Sequence, residues 1–341
     1  MSKHEYRKRS GAIWPWFVAL GLSACGGSPA PAHQPEGTPE VTEESEGTPP
    51  ADKGAAAPAS NAKVKRGMDA IQAGDFEKAK TVLSEAVKDN PEDPQAAFYL
   101  GVAFEALGDR RAAAEQYKRA LGFDPKLTEA SINLSGVLLD AEDTPAALST
   151  AEAGLKYAPK NPALLRNRAV ALDAAGKNEA VQAFKEALDA APDDQEVHYL
   201  YGEALARHGD EARAVKELEG LVGSDDVAVL ASTGRLLGKL KAFDACIAAL
   251  DRAVAKKNAS ELLVQRGICK HGKKDDKAAA ADFEAAISAD PSFAPAHYYL
   301  AQNERARGNK KRAKAEFEKT AELDPSGNVG SAAKKALAEL K

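Results

Sequence analysis

The chain divides by where its apolar side chains fall. Gly11 to Leu22, "GAIWPWFVALGL", is a short uncharged run behind a basic start. Residues 26–59 then hold one branched aliphatic residue, Val41, among seven prolines, five glycines and many acids. From Ser60 onward apolar and small positions recur at helical spacing. "GDFEKAKTVLSEAVKDNP", "GDRRAAAEQYKRALGFDP" and "GNKKRAKAEFEKTAELDP" occupy 74–91, 108–125 and 308–325. In each, glycine is followed by alanine after five residues, a bulky residue four later, a small one three later, and proline after five more. The first two copies lie 34 residues apart. A period of that length predicts stacked helix pairs.

This pattern resembles the tetratricopeptide repeat, a helix–turn–helix unit, and eight copies cover nearly all of Ser60 to Gly327. The small residue of helix A falls at Gly67, Gly101, Ser135, Ala169, Gly202, Gly234, Gly267 and Ala301. That of helix B falls at Ala79, Ala113, Ala147, Ala180, Ala214, Cys246, Ala279 and Ala313. The helices cross there, so a larger side chain would push them apart. A bulky residue fills the remaining gap at Leu83, Tyr117, Phe184, Leu218, Leu250, Phe283 and Phe317, with Ala151 the exception. Prolines such as Pro91, Pro125 and Pro325 stop helix B, lacking the donor to continue it. The resemblance implies an all-α fold, a right-handed superhelix (α-solenoid) of about eight repeats. Residues 328–341, "NVGSAAKKALAELK", read as a capping helix with Ser331 as its cap. Leu337 and Leu340 then cover the last repeat, and Lys334, Lys335 and Glu339 face water. Repeats five and six are the least regular, since "LVGSDDV" has no proline and the repeat is two residues short. A bend or hinge is expected near 222–227.

The start of the chain has a different job. Twelve helical residues reach about 18 Å, short of a bilayer core of about 30 Å, and Pro15 interrupts them. A basic start, a short apolar run and small residues at its end describe an export signal. Leu22-Ser23-Ala24-Cys25 resembles the lipobox of bacterial lipoproteins. The resemblance implies a signal peptide over 1–24, a diacylglyceryl thioether on Cys25, cleavage before it, and acylation of the new amino terminus. More than one acyl chain gives stable membrane anchoring. Gly26 lacks the acid that retains such lipoproteins in the inner membrane, which implies a periplasm-facing place at the outer membrane. Trp14 and Trp16, the only tryptophans, would leave with the signal.

Composition and charge sharpen this division. Lys3, Arg7, Lys8 and Arg9 outweigh Glu5 before Cys25, whereas Glu36, Glu40, Glu43, Glu44, Glu46 and Asp52 face only Lys53 in 26–59. A segment so polar cannot offset its ordering entropy by burial, so 25–59 is expected to be a lipidated cysteine on a disordered tether. The whole chain carries a net charge of −5, giving no reason to expect a nucleic-acid partner. Aromatics make up only 6% of the residues, in keeping with helices packed through small side chains.

In the resembled family, helix A lines a concave groove. Carried onto this chain, its groove positions in the early repeats are Val64, Met68, Ile71, Phe98, Val102, Ile132, Leu139 and Val170. In the later repeats they are Arg166, Tyr199, Glu203, Arg207, Arg235, Lys239, His271, Tyr298, Gln302 and Arg305. Asn133 and Asn167, one repeat apart, have amides suited to the backbone of an extended peptide. Whether the early apolar set forms a binding patch or packs against neighbouring repeats stays open on the sequence. The family's carboxylate clamp is absent, because its lysine and asparagine positions read Val64/Met68, Phe98/Val102 and Ile132/Gly136.

No phosphate loop, dinucleotide fingerprint, zinc-protease helix or nucleophile elbow occurs, so no enzyme, cofactor, metal or small-molecule substrate is expected. His198, His208, His271 and His297 lack metal-ligand spacing and read as surface or groove residues. Lys270 to Lys277, "KHGKKDDK", reads as a solvated turn. Cys246 and Cys269 stand at similar heights on antiparallel neighbours, as a disulfide or, the favoured reading, as two buried fillers. The function expected is a lipid-anchored adaptor that binds an envelope protein or peptide. The other reading is a periplasmic carrier or chaperone holding a transient polypeptide.

Overall fold

The computed structural model describes residues 56–340. The stretch read as an export signal, Cys25 and most of the stretch read as a tether lie outside them. Among the described residues the structure is all helix and turn: seventeen α-helices and one short 3-10 turn. Two compact units divide it, one ending at Glu142 and the other beginning at Asp143. The division falls at the turn inside the third repeat.

The first unit holds α1 (Ala56–Gln72), α2 (Phe76–Asp89), α3 (Pro94–Ala106), α4 (Arg110–Phe123) and α5 (Thr128–Asp140). Each packs on the next, and α1 also meets α3. The first helix begins four residues inside the stretch read as tether, at Ala56 rather than Ser60. Alanines favour it, and Pro58 sits in the first turn, where the missing donor costs nothing.

The second unit holds α6 (Thr144–Leu155), α7 (Pro162–Ala174), α8 (Glu179–Ala190), α9 (Gln195–Arg207) and α10 (Glu211–Glu219). It continues with α11 (Val227–Lys239), α12 (Phe243–Lys256), α13 (Ser260–Gly272), α14 (Asp276–Ala289), α15 (Ala294–Ala306), α16 (Lys310–Leu323) and α17 (Asn328–Glu339). Again each helix packs on its successor. The A helices α7, α9, α11, α13 and α15 also touch one after another, and α15 touches α17. The described residues thus hold about eight helix–turn–helix repeats, the third divided between the two units, and one final helix.

The small-and-bulky spacing has a direct structural cause. A Cβ added to Gly101 would lie 2.6 Å from the Tyr117 ring, and one on Gly267 would lie 2.5 Å from the Phe283 ring. Such approaches lie well inside contact distance, so at these two crossings a Cβ on helix A would displace the ring of helix B. Tyr117, Phe184, Phe283 and Phe317 are among the largest fully buried side chains. Aspartates open many of the helices: Asp75, Asp93, Asp109, Asp143, Asp194, Asp210, Asp226 and Asp275 each accept a backbone N–H from the first turn.

Two local expectations change. The final helix starts at Asn328 with Gly327 as its cap, so Ser331 lies inside the first turn. The carboxylate of Asp324 accepts from Gly330 N–H at 3.0 Å, which fixes that earlier start. Leu337 and Leu340 do pack on the cluster of Ala301, Ala313 and Phe317, and Lys334, Lys335 and Glu339 are exposed. At the irregular junction the two missing residues shorten α10 to nine residues and tighten its end into the 3-10 turn Gly220–Gly223. Arg252 donates to the Gly223 carbonyl at 3.1 Å, Lys256 pairs with Asp225 at 2.8 Å, and Ser224 bonds Gln195 at 2.8 Å. Leu221 is buried there. The junction is packed and bonded on both sides.

Candidate partner-binding face

The early apolar set sits mostly inside the first unit. Phe98 is 7% exposed and Val102 0%. The Phe98 ring lies 5.8 Å from that of Tyr117 and 5.0 Å from that of Tyr99, so it belongs to the interior of its own helix pair. Val64 is buried with Ala86 and Ala96, and Met68 packs half-buried against them. Ile132 and Asn133 are half-buried. The Asn133 amide donates to the Tyr117 hydroxyl at 3.2 Å, and that hydroxyl donates to Glu105 at 2.6 Å. Burial, helped by the Glu105 charge, pushes the Tyr117 phenol far up, so it serves as a neutral donor. Asn167 is fully buried. These side chains read as interior and inter-helix ties.

The later repeats present a different face. Along the A helices of the second unit lie Arg166, Tyr199, Arg235 and Tyr298, all half-buried. Arg166 pairs with Glu196 at 3.1 Å. Burial raises the Glu196 carboxyl above the usual carboxylate range, and Asp194 adds to this against the pull of Arg166. Tyr199 packs beside the cluster of Leu230 and Leu237. The Arg235 guanidinium lies 3.4 Å from Ser232 Oγ on its own helix. Tyr298 stands edge-on to Phe317 at 5.8 Å, and its hydroxyl accepts from Gln302 at 2.9 Å. Aromatic rings, guanidinium groups and an amide on rigid helices suit a polypeptide partner, which offers apolar side chains, carboxylates and backbone amides together.

Behind this face, buried charges tie neighbouring helices. Asp173 of α7 receives Arg207 of α9 in an ion pair, with His208 at 3.6 Å. Asp282, only 5% exposed, holds Arg266 by two hydrogen bonds and Lys270 at 2.8 Å. Glu304, also buried, holds Arg307 and Asn309. The Glu304 ties are local, but helical spacing gives no hint of the Asp173 and Asp282 pairs, since each needs a distance between elements.

The histidines also differ from their expected surface role. His198 and His297 repeat one arrangement in repeats five and eight. In each, Nδ1 faces a helix-B carboxylate, Glu217 or Glu316, while Nε2 faces a turn carbonyl, Pro192 at 2.7 Å or Pro291 at 3.1 Å. For His198, burial works against the charged ring. Glu217, the Pro192 carbonyl and Asp194 outweigh it and raise its pKa. The identical spacing, proline six before and glutamate nineteen after, was a signal available in the sequence. Beside His198 the irregular junction leaves a cleft of about 720 Å³ that also meets Tyr201, Arg213, Lys216 and Leu221. Its main polar groups are already paired, His198 with Glu217 and Arg213 with the Tyr201 hydroxyl.

Cys246 and Cys269 form a disulfide, correcting the favoured reading of two buried fillers. Their Cα atoms are 6.3 Å apart, within bridging range. Both are buried, and a Cβ on Gly238 of α11 would lie 2.9 Å from the Cys269 sulfur. That glycine leaves room for the bridge. Among the described residues, no group of three His, Cys, Asp or Glu side chains is placed to hold a metal ion. Among the same residues no helix is long and apolar enough to cross a membrane.

Comparison with known proteins agrees with this architecture. A family model described as tetratricopeptide repeat matches residues 64–127 and 277–328, and a second of the same description matches 178–230. No curated protein matches the chain. Among solved structures, residues 41 to the end of MamA from Desulfovibrio magneticus RS-1 are 24% identical, with 49% of this chain and 93% of that one covered and a TM-score of 0.44. A tetratricopeptide repeat protein from Parabacteroides merdae is 19% identical, with 72% and 98% covered and a TM-score of 0.48. PilF of Pseudomonas aeruginosa is 19% identical, with 61% and 96% covered and a TM-score of 0.50. For PilF, likeness at this level of identity is likeness of fold alone. Paired helices and glycine-on-aromatic crossings agree with the tetratricopeptide repeats that these family models place at 64–127, 178–230 and 277–328.

Proposed function

We propose that this protein is a lipid-anchored scaffold of the bacterial cell envelope that binds a partner protein or peptide along its A helices. The observation that carries the binding half is the row of half-buried aromatic and cationic side chains on successive A helices of the second unit, Tyr199, Arg235 and Tyr298. The anchor half is supported by Leu22-Ser23-Ala24-Cys25, and by a disulfide that belongs in an oxidising compartment. Cys25 carries the lipid, and the acidic segment after it links that anchor to the repeats. The role is assembly of an envelope machine, with no cofactor and no chemistry of its own.

Photo-crosslinking in cells tests the face. A crosslinker at Arg235 or Tyr298 gives a discrete protein adduct, and one at the exposed helix-B residue Ala248 does not. Equal labelling from Ala248 removes the proposed face. Mass spectrometry of the amino-terminal peptide tests the anchor, which Cys25→Ser abolishes. The carrier reading predicts many weak adducts from the same A-helix positions instead of one.

A further inference from the structure

The turns of repeats six to eight that join helix A to helix B carry a row of lysines. Lys241 follows α11, Lys274 and Lys277 flank the start of α14, and Lys310 and Lys311 open α16. All five are exposed, and among the described residues none makes an ion pair. The arginines beside them are paired: Arg305 with Glu339, Arg307 with Glu304, Arg312 with Glu284. The turns form one continuous edge. Lys273 of the seventh pairs with Asp244 of the sixth, and the Asn303 amide reaches Asp276 at 3.5 Å and His271 at 3.4 Å. The opposite turns, from helix B to the next helix A, are mixed, exposing Asp193 and Lys257, with Asp225 paired to Lys256.

The backbone strengthens the case. Five turns of this kind place glycine in the left-handed region, at Gly74, Gly108, Gly176, Gly209 and Gly308. Three turns put another residue there, Glu142 at φ 61° in repeat three and, in the adjacent repeats six and seven, Lys241 at φ 60° and Lys274 at φ 72°. A side chain at such an angle is strained, and glycine would relieve it. Two adjacent turns thus hold an ammonium group at a conformational cost.

We infer that this lysine edge lies against an anionic bilayer surface. The unpaired groups are all lysine, and they are spread along an edge of three successive turns. Lysine is a compact, hydrated point charge, whereas arginine suits shaped carboxylate or phosphate sites. Diffuse mobile charge fits a fluid sheet of headgroups better than a single folded ligand. The edge is independent of the lipid on Cys25, so the test uses chain without it.

The full-length Cys25→Ala chain is mixed with vesicles of phosphatidylcholine, with or without about one third phosphatidylglycerol, at rising salt. The parent binds the anionic vesicles and releases them as salt rises. Reversal of all five lysines to glutamate weakens binding at least about a hundredfold. Every protein compared keeps the same first 60 residues, so leader and tether contribute equally. A second variant, Lys241→Gly with Lys274→Gly, melts at a higher temperature and binds more weakly. Unchanged binding in either variant overturns the inference. So does lysine-dependent binding to polyglutamate without binding to vesicles, which assigns the edge to an acidic protein.

Discussion

The second and seventh repeats use the same crossing and fasten it differently. Both lay an aromatic ring on a glycine, Tyr117 on Gly101 and Phe283 on Gly267. Tyr117 carries a buried hydroxyl, so the second repeat must supply Glu105 and Asn133 to satisfy it. Phe283 needs no partner and stacks on Tyr299 at 6.1 Å. The seventh repeat instead ties its helices with Asp282, Arg266 and Lys270, and joins the sixth through the disulfide. Spacing along a helix therefore decides the pair, while the tie between pairs is chosen locally. Buried charge clusters add little net stability over apolar packing, but they penalise any other register of the helices.

Substitutions at these two crossings test the difference, beginning with the ring itself. Phe283→Ala empties a fully buried site and should cost about 3–5 kcal/mol in urea unfolding. Replacing Cys246 and Cys269 together by alanine opens a loop with a separation of 23 residues. Loop-closure entropy puts that loss at about 3 kcal/mol, with parent and variant converging under reductant. If they differ equally in reductant, packing rather than the bridge is responsible. Tyr117→Phe keeps the ring but strands Glu105 and Asn133, for a loss of about 1–2 kcal/mol. A loss as large as that of Phe283→Ala would erase the distinction between the two repeats.

Smaller effects lie at the turns. Lys241→Gly should stabilise by about 1 kcal/mol, read as a raised urea midpoint, because it relieves a left-handed side chain. His198 gives a pH signature. Its pKa is raised in the folded protein. Its stabilisation is therefore complete below the unfolded value of about 6.5 and is lost as pH rises through the folded one. His198→Gln should flatten the fall in stability from about pH 6 to 8. A fall unchanged in that variant would place the titration elsewhere.

Much of the fold was legible because its rule is local. Gly101 and Tyr117 lie sixteen residues apart in one repeat, and Gly267 and Phe283 keep the same interval. The site was less legible because it depends on what each face meets. Phe98 and Val102 occupy positions assigned to a groove, yet the Tyr117 and Tyr99 rings enclose Phe98 and Val102 has no exposed surface. Asp282 reads as an ordinary exposed helix acid until Arg266 and Lys270 are placed around it. The cysteines were left open for the same reason, since a 6.3 Å Cα separation is a property of two helices and of neither alone. Lys241 and Lys274 were hidden by type, for a pattern search expects glycine where the backbone turns left-handed.

A stack of repeats comes undone from its ends, one layer at a time, because each layer leans only on its neighbours. The bridge between α12 and α13 is a covalent rung, and unzipping that passes it still leaves Cys246 and Cys269 joined. If the last repeats peel away under load, they stay leashed to the sixth. They then re-dock at the high effective concentration of a short tether. A pull on the carboxyl end is thus met by a covalent tie two repeats in.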